Sequence, residues 1–385
     1  MITVQDVFHR FYDEYAQKHT PTFWQSNISQ KIMNCRTAAM GGRTLECDHC
    51  GHTVIVYNSC RNRHCPLCQG ITRAIWVDKK SADVVNAPYF HLVLTMPEEL
   101  RGIIHQNDSL LYSLMYRASA DAIKELAQDE NYLGAQVGFF SLLHTWSQDL
   151  HYHPHIHVVL MAGGLNKQNE WVASSKNFFI PVGVLSSMFR GKYLSSLSKL
   201  YQQGELKFYG QMEKYKDPAL FQKLIDQCYN IRWYSYIQET FSGPQAVINY
   251  LGRYTHQIAI ANSRLISMDD HNVTFTVRGK DKGDQTETVT LSGTEFIRRF
   301  LMHVLPKGFV KIRNYGLLAN VNKKTKLAMC RALTNSPLLK PQFENMDKFE
   351  VACVIAGYDL SLCPSCKVGV LVLKNISGPP GRAGP

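Results

Sequence analysis

The sequence predicts an α+β protein: an antiparallel sheet with flanking helices, preceded by a small cysteine-rich module. Three observations carry that prediction. Apolar residues recur at helical spacing in several separate stretches. Two apolar segments, "AQVGFFSLLHTW" and "HIHVVLMA", are joined by a polar turn-like stretch and read as an antiparallel hairpin. Six of the eleven cysteines fall between Cys35 and Cys68.

Taken along the chain, residues 5–33 read as helical, with an apolar stripe at Val7, Phe8, Phe11, Tyr12 and Tyr15. Residues 35–70 are short in apolar periodicity and dense in Cys, Gly, His and Arg, and 71–85 form a candidate helix leading out of them. "YFHLVLTM" (Tyr89–Met96) is a strand candidate stopped by Pro97. Residues 108–128 and 184–203 show helical spacing, and "IRWYSYIQ" is a further strand candidate. A helix opens at "SGPQAVINYLGRYTH", where Ser242 can cap and Pro244 suits the first turn. "RLISMDDHNVTFTVRG" predicts a hairpin turning at Asp269–Asn272, and 294–305 again read as helix. The Pro/Gly-rich tail "SGPPGRAGP" predicts disorder.

A net charge of +11 favours polyanionic partners, nucleic acid first and a membrane surface second. No apolar run approaches the roughly 18–20 residues of a spanning helix. The N-terminus mixes charges with helically spaced apolar residues and does not read as a signal peptide, so the expected location is the cytoplasm. The sequence carries no P-loop, which excludes the commonest ATP-driven engines.

In "CDHCGHTVIVYNSCRNRHCPLC" the pairs Cys47/Cys50 and Cys65/Cys68 are separated by fourteen residues. Each CxxC knuckle presents two thiolates, and two knuckles complete a tetrahedral site, for which Zn²⁺ is the expected ion. Cys35, His49, His52, Cys60 and His64 are extra candidate ligands, with Cys60 and His64 the foremost. Such extras leave room for a second site, although packing or hydrogen bonding is their commoner role. The pair Cys363/Cys366 is half a site with no second pair downstream. A zinc staple touching nothing is the plain alternative; Arg36, Arg43, Arg61, Arg63 and Arg73 tilt the reading toward nucleic acid.

On a strand, alternate residues share a face, so His155 and His157 point one way and Ile156, Val158 and Leu160 the other. Two imidazoles two residues apart make half a metal site. His144 ends the preceding strand, and a hairpin register pairing 144 with 155–157 brings it to the same face; a slip of one turns it away. His151 and His153 either ligate or sit in solvent. In "NYLGRYTHQ", Tyr250 and Tyr254 lie one helical turn apart. Such phenols are usually core or interface aromatics. Beside Arg253 and His256 they are also candidate nucleophiles for a phosphodiester polarised by a metal.

With "HPHIH", "YLGRYTH" and the upstream "CRNRHCPLC", most of the chain resembles the HUH-endonuclease superfamily, and within it transposases of the insertion sequence 91 family, the two-tyrosine rolling-circle type. The resemblance extends from "CRTAAMGG" through "HLVLTMP" to "FIRRFLMHVLPKGFVKIRNYGLLAN". It implies a palm-like antiparallel sheet with the histidine pair on a central strand. It implies a catalytic Mg²⁺ or Mn²⁺ held by His155, His157 and, on the spacing seen in relaxases, His144. It implies Tyr250 and Tyr254 as nucleophiles that cleave and rejoin single-stranded DNA through a 5′-phosphotyrosine. The expected partners are single-stranded DNA at the ends of the mobile element and target DNA, with a homo-oligomer as a further candidate and no membrane. The expected setting is the bacterial cytoplasm, at the nucleoid when acting. Arg253, Arg264, Lys311 and Arg313 are candidate phosphate contacts, against an ordinary solvated basic face.

The corresponding division is residues 1–80 as helix plus zinc-binding domain, 86–325 as catalytic domain, and 326–385 as a C-terminal extension carrying the CxxC. Three other readings compete. A plasmid rolling-circle replication initiator or relaxase shares the chemistry. A non-catalytic zinc-dependent DNA-binding protein forms no covalent adduct. A histidine-metal hydrolase of small phosphoesters is indifferent to Tyr→Phe changes.

Overall fold

The structure, a computed structural model, describes residues 2–174, 180–241, 246–247, 250, 252, 259–278 and 286–379, with backbone alone at 238–241. Two helices, α1 (Val4–Lys18) and α2 (Phe23–Asn34), stand in place of the single helix expected over 5–33. Pro21 interrupts the backbone ladder, and Thr22 starts the new helix in a reciprocal cap with Gln25. A hairpin of β1 (Gly42–Cys47) and β2 (Thr53–Tyr57) precedes α3 (Gln69–Ser81), which ends four residues before the expected 85. Then come β3 (Tyr89–Thr95), α4 (Glu98–Gln106) and α5 (Asp108–Gln128), the last with the bounds read from periodicity.

The hairpin of β4 (Gln136–Trp146) and β5 (Tyr152–Leu165) follows, with β6 (Trp171–Ala173) beside β5. Helices α6 (Val182–Gln202) and α7 (Pro218–Asn230) lead to β7 (Ser235–Phe241). After β8 (Leu265–Met268), β9 (Asn272–Arg278) and β10 (Thr286–Ser292) come α8 (Gly293–Leu301), β11 (Ile312–Gly316), α9 (Lys326–Leu333), α10 (Lys348–Ala356) and β12 (Leu371–Ser377). The hairpin expected at Asp269–Asn272 is present, with Asp269 N–H donating to the Asn272 carbonyl at 3.0 Å. Ser242 and Pro244 lie outside the described residues, as does the tail from 380. No helix among the described residues is long and apolar enough to cross a membrane.

The main sheet is antiparallel, in the order β11-β4-β5-β3-β7, so β5 is its central strand. Its pleat separates two faces. Phe90, Leu92, Leu94, Ile156, Val158 and Leu160 enter one core with apolar residues of α4, α5, α6 and α7. Burying each of these large side chains favours folding by roughly 2 kcal/mol. The opposite face is divided. One end joins Tyr89, Phe140, Val159 and Met161 with Val247 and Tyr250 in a smaller core. The other end carries the histidines.

The remaining elements bring together segments far apart in the sequence. Helices α1 and α2 share one core with α8, the β8–β10 sheet and Cys35 and Cys65 of the cysteine-rich module: Phe8 meets Phe300 edge-on at 5.3 Å, and the Trp24 indole donates to the Leu305 carbonyl at 3.0 Å. Gly293 is required at this junction, because a Cβ there would lie 2.1 Å from the Phe11 ring. Strand β12, from the expected C-terminal extension, pairs with β1 to give a third sheet, β12-β1-β2.

Candidate functional site

The β4–β5 register sets His144 directly opposite His155, and Leu142 opposite His157. Directly paired residues share a face, so the three imidazoles converge, with one ring nitrogen of each within 4.8 Å of the others. His155 Nε2 and His157 Nε2 are 3.0 Å apart. Two donors about 2.1 Å from one ion at right angles lie about 3.0 Å apart, so the pair fits adjacent positions on a divalent cation. Nδ1–H of His155 donates to the His153 carbonyl at 2.6 Å, which leaves Nε2 as the lone pair. Burial pushes the His155 pKa down to about 4 and that of His157 well below the usual range, so both rings are neutral at neutral pH.

Behind the trio lies a residue the sequence reading did not assign. His91 on β3 is on the same face, and its Nε2 lies 2.8 Å from His157 Nδ1. The Tyr250 hydroxyl completes a triangle, 2.8 Å from His91 Nε2 and 2.9 Å from His157 Nδ1. A cation on His157 Nε2 requires the ring's proton on Nδ1, and that proton has two acceptors here. Burial lowers the His91 pKa to about 4, which keeps it a neutral acceptor. The signal was available: "YFHLVLTM" places His91 at an alternate strand position. Tyr250 is 7% exposed and sits on the Nδ1 side of His157, away from the converging Nε2 atoms. Tyr254, Arg253 and His256 lie outside the described residues.

The trio floors an open cleft of about 1930 Å³, also lined by Arg73, Arg101, Arg264 and Arg278. His151 and His153 line it without joining the trio: His151 Nδ1 pairs with Asp149 at 2.7 Å, and His153 Nδ1 accepts from Arg101 at 2.9 Å. The phosphate-contact candidates divide. Arg264 reaches the cleft, but Nε donates to the Thr276 carbonyl at 2.8 Å and Nη2 to the Gln148 carbonyl, so it ties a loop to β9. Lys311 is buried, with its ammonium 5.0 Å from the Trp146 ring centre, and desolvation lowers its pKa to about 7. Arg313 pairs with Ser141, on the sheet face opposite the histidines, and stacks 4.2 Å from the Tyr116 ring. Strand parity therefore sets Arg313 on the face away from the histidine trio.

The single zinc site expected from Cys47, Cys50, Cys65 and Cys68 is also corrected. These four belong to two clusters: Cys35, Cys60, Cys65 and Cys68 form one, and Cys47, Cys50, Cys363 and Cys366 the other. In the first, Cys68 Sγ lies 3.3 Å from Cys35 Sγ and 3.5 Å from Cys60 Sγ, near the ~3.8 Å edge of a tetrahedral zinc thiolate. Cys60 is therefore among these thiols. His64 is not: its Nε2 accepts from Leu305 N–H at 3.0 Å and its Nδ1 lies 3.0 Å from Asn62 Oδ1.

Comparison with known proteins places the chain among relatives. Residues 138–326 match a family model described as "Putative transposase", and residues 7–96 one described as "Transposase zinc-binding domain". The chain is 39% identical over 388 residues to a protein of Sinorhizobium fredii described as "Putative transposase y4qJ", covering 98% of this chain and 97% of that protein. It is 28% identical over 343 residues to the transposase for insertion sequence element IS801 of Pseudomonas savastanoi pv. phaseolicola, covering 85% of this chain and 80% of that one. No solved structure matches the chain. A sheet bearing this site, joined to a zinc-binding domain and matched along nearly its whole length, is that of a transposase, a DNA-cleaving enzyme. The chain belongs to the insertion sequence 91 family of transposases. Its cysteines support structural Zn²⁺.

Proposed function

We propose that this transposase cleaves and rejoins single-stranded DNA by a rolling-circle mechanism through a 5′-phosphotyrosine link. The observation that carries the reading is the convergence of His155 and His157 on one point, with the Tyr250 hydroxyl bonded to the reverse side of the same His157 ring. His144, His155 and His157 would hold a Mg²⁺ or Mn²⁺ ion, which would supply charge stabilisation at the scissile phosphate. A tyrosine oxygen forms the new P–O bond as the bond to the 3′ oxygen breaks; the phenolic proton passes to a base, and the departing 3′ oxygen takes a proton from water. The link conserves the phosphodiester energy, so a 3′-OH can reverse the step without ATP.

Tyr250 is committed to His91 and His157, so Tyr254, one helical turn further on by sequence, is assigned the first attack. When Tyr250 reacts in its turn, His91 Nε2 is in place to accept its proton. Tyr236 supports a single-stranded substrate: it lies in the cross-sheet row Leu142–His157–Val93–Tyr236, is 44% exposed, and offers a ring on which an unpaired base can stack.

The test is a covalent-adduct assay with labelled single-stranded DNA carrying the element's ends, with Mg²⁺ or Mn²⁺, on denaturing gels. A metal-dependent adduct lost in the Tyr250→Phe/Tyr254→Phe double variant is the expected result. Tight DNA binding with no adduct on any end sequence favours the non-catalytic reading. A second expectation concerns His91. His91→Leu weakens Mn²⁺ binding about 10–100-fold, the usual cost of losing a group that orients a ligand, and His91→Gln loses less. Calorimetric titration with Mn²⁺ measures both, and unchanged affinity in His91→Leu removes His91 from the site.

A further inference from the structure

We propose that Cys47, Cys50, Cys363 and Cys366 form a second zinc site, one that closes the C-terminal segment onto the N-terminal module. The matched zinc-binding domain ends at residue 96 and so contains only half of these ligands. The geometry is that of two facing knuckles. Cys47 Sγ lies 3.7 Å from Cys366 Sγ, and Cys50 Sγ lies 3.7 Å from Cys363 Sγ. That spacing matches the ~3.8 Å edge of a tetrahedron built on ~2.3 Å zinc–sulfur bonds, and it is far from the ~2.05 Å of a disulfide.

Backbone amides point at the sulfurs, as charged thiolates require. His49 N–H and Cys50 N–H donate to Cys47 Sγ at 3.4 and 3.5 Å, and Gly369 N–H donates to Cys366 Sγ at 3.4 Å. The two halves are also registered independently of any ion. Cys47 pairs with Leu371 across β1 and β12, Val370 N–H donates to Asp48 Oδ1 at 2.7 Å, and Lys374 bonds Glu46. Gly369 is packed so closely that a Cβ would lie 2.5 Å from Cys47 Sγ. One cysteine of each knuckle, Cys47 and Cys363, is buried, while Cys366 is half-buried and Cys50 exposed, so the site lies at the edge of the module.

The site ties down more than a strand. Between the catalytic sheet and β12 the chain runs back along α3: Asp78 accepts from the amides of Gln342 at 2.9 Å and Phe343 at 2.8 Å, and α10 packs on the same helix. A closed second site therefore clasps α3 between the two ends of the chain.

The measurement is zinc per full-length chain, by elemental analysis of protein purified under reducing conditions. In a His155→Ala/His157→Ala background, where the histidine trio holds no ion, the chain is expected to hold two zinc ions, and with Cys363→Ser/Cys366→Ser added, one. Hydrogen exchange of that variant is expected to show lost protection in β12 with β4 and β5 unchanged. Because a variant can fail by misfolding, wild type is also alkylated natively. Cys363 and Cys366 are expected to resist alkylation until a chelator removes zinc. Two zinc ions retained in the variant, rapid alkylation of Cys363 and Cys366 in zinc-loaded wild type, or a disulfide between the two pairs overturns the proposal.

Discussion

His157→Ala is expected to reduce covalent-adduct formation by more than about a thousandfold while leaving the protein folded and able to bind DNA. The expectation rests on the two sides of one ring. Nε2 faces His155 at 3.0 Å, and Nδ1 faces both His91 and Tyr250. Alanine therefore removes a proposed ligand of the divalent ion and a hydrogen-bond partner of the buried tyrosine together, and the loss of transition-state charge stabilisation is expected to be large in a desolvated site. The sheet is expected to survive, because Ile156 and Val158 anchor β5 to the core on the opposite face, where His157 takes no part. Adduct rate, Mn²⁺ titration and thermal melting separate the cases. A near-wild-type adduct rate with Mn²⁺ binding intact would sink the assignment of His157.

Much of this site was legible because it is local. Alternation alone placed His155 and His157 on one face, and the hairpin register that was needed for His144 is the one present, with His144 opposite His155. Helix α5 carries its bounds in its own apolar spacing. What local pattern could not supply was partnership between distant segments. CxxC knuckles are chemically interchangeable, so nothing near Cys47 says that its partners lie beyond residue 360 rather than at Cys65 and Cys68. Arg313 is a phosphate-contact candidate because it is basic, but the sheet face it takes is set by pairing with Ser141 across β11 and β4. His91 was visible on its strand, but its role depends on the diagonal offset between β3 and β5.

Removing the first cysteine cluster is the second large effect expected, and it is expected to act through α3. Cys68 is the residue that starts α3, and further along the same helix Trp76 packs against the core that holds Val247 and Tyr250. Gly252 also lies beside α3: a Cβ placed there would meet Val77 at 3.7 Å, an ordinary contact distance. Zinc sites of this kind contribute about 10–16 kcal/mol of apparent binding free energy at pH 7, against about 5–15 kcal/mol for the stability of a whole domain. Cys65→Ser/Cys68→Ser is therefore expected to unfold the module locally. Amide protection should vanish in α3 while β4 and β5 keep theirs, since their core uses no cysteine of either cluster. Adduct formation is expected to fall at least tenfold even though every histidine of the trio is intact, because Tyr250 loses its bed. If α3 keeps its protection in the zinc-depleted variant, the cluster is a staple without influence on the tyrosines, and any loss of activity must come from DNA contacts of the module itself.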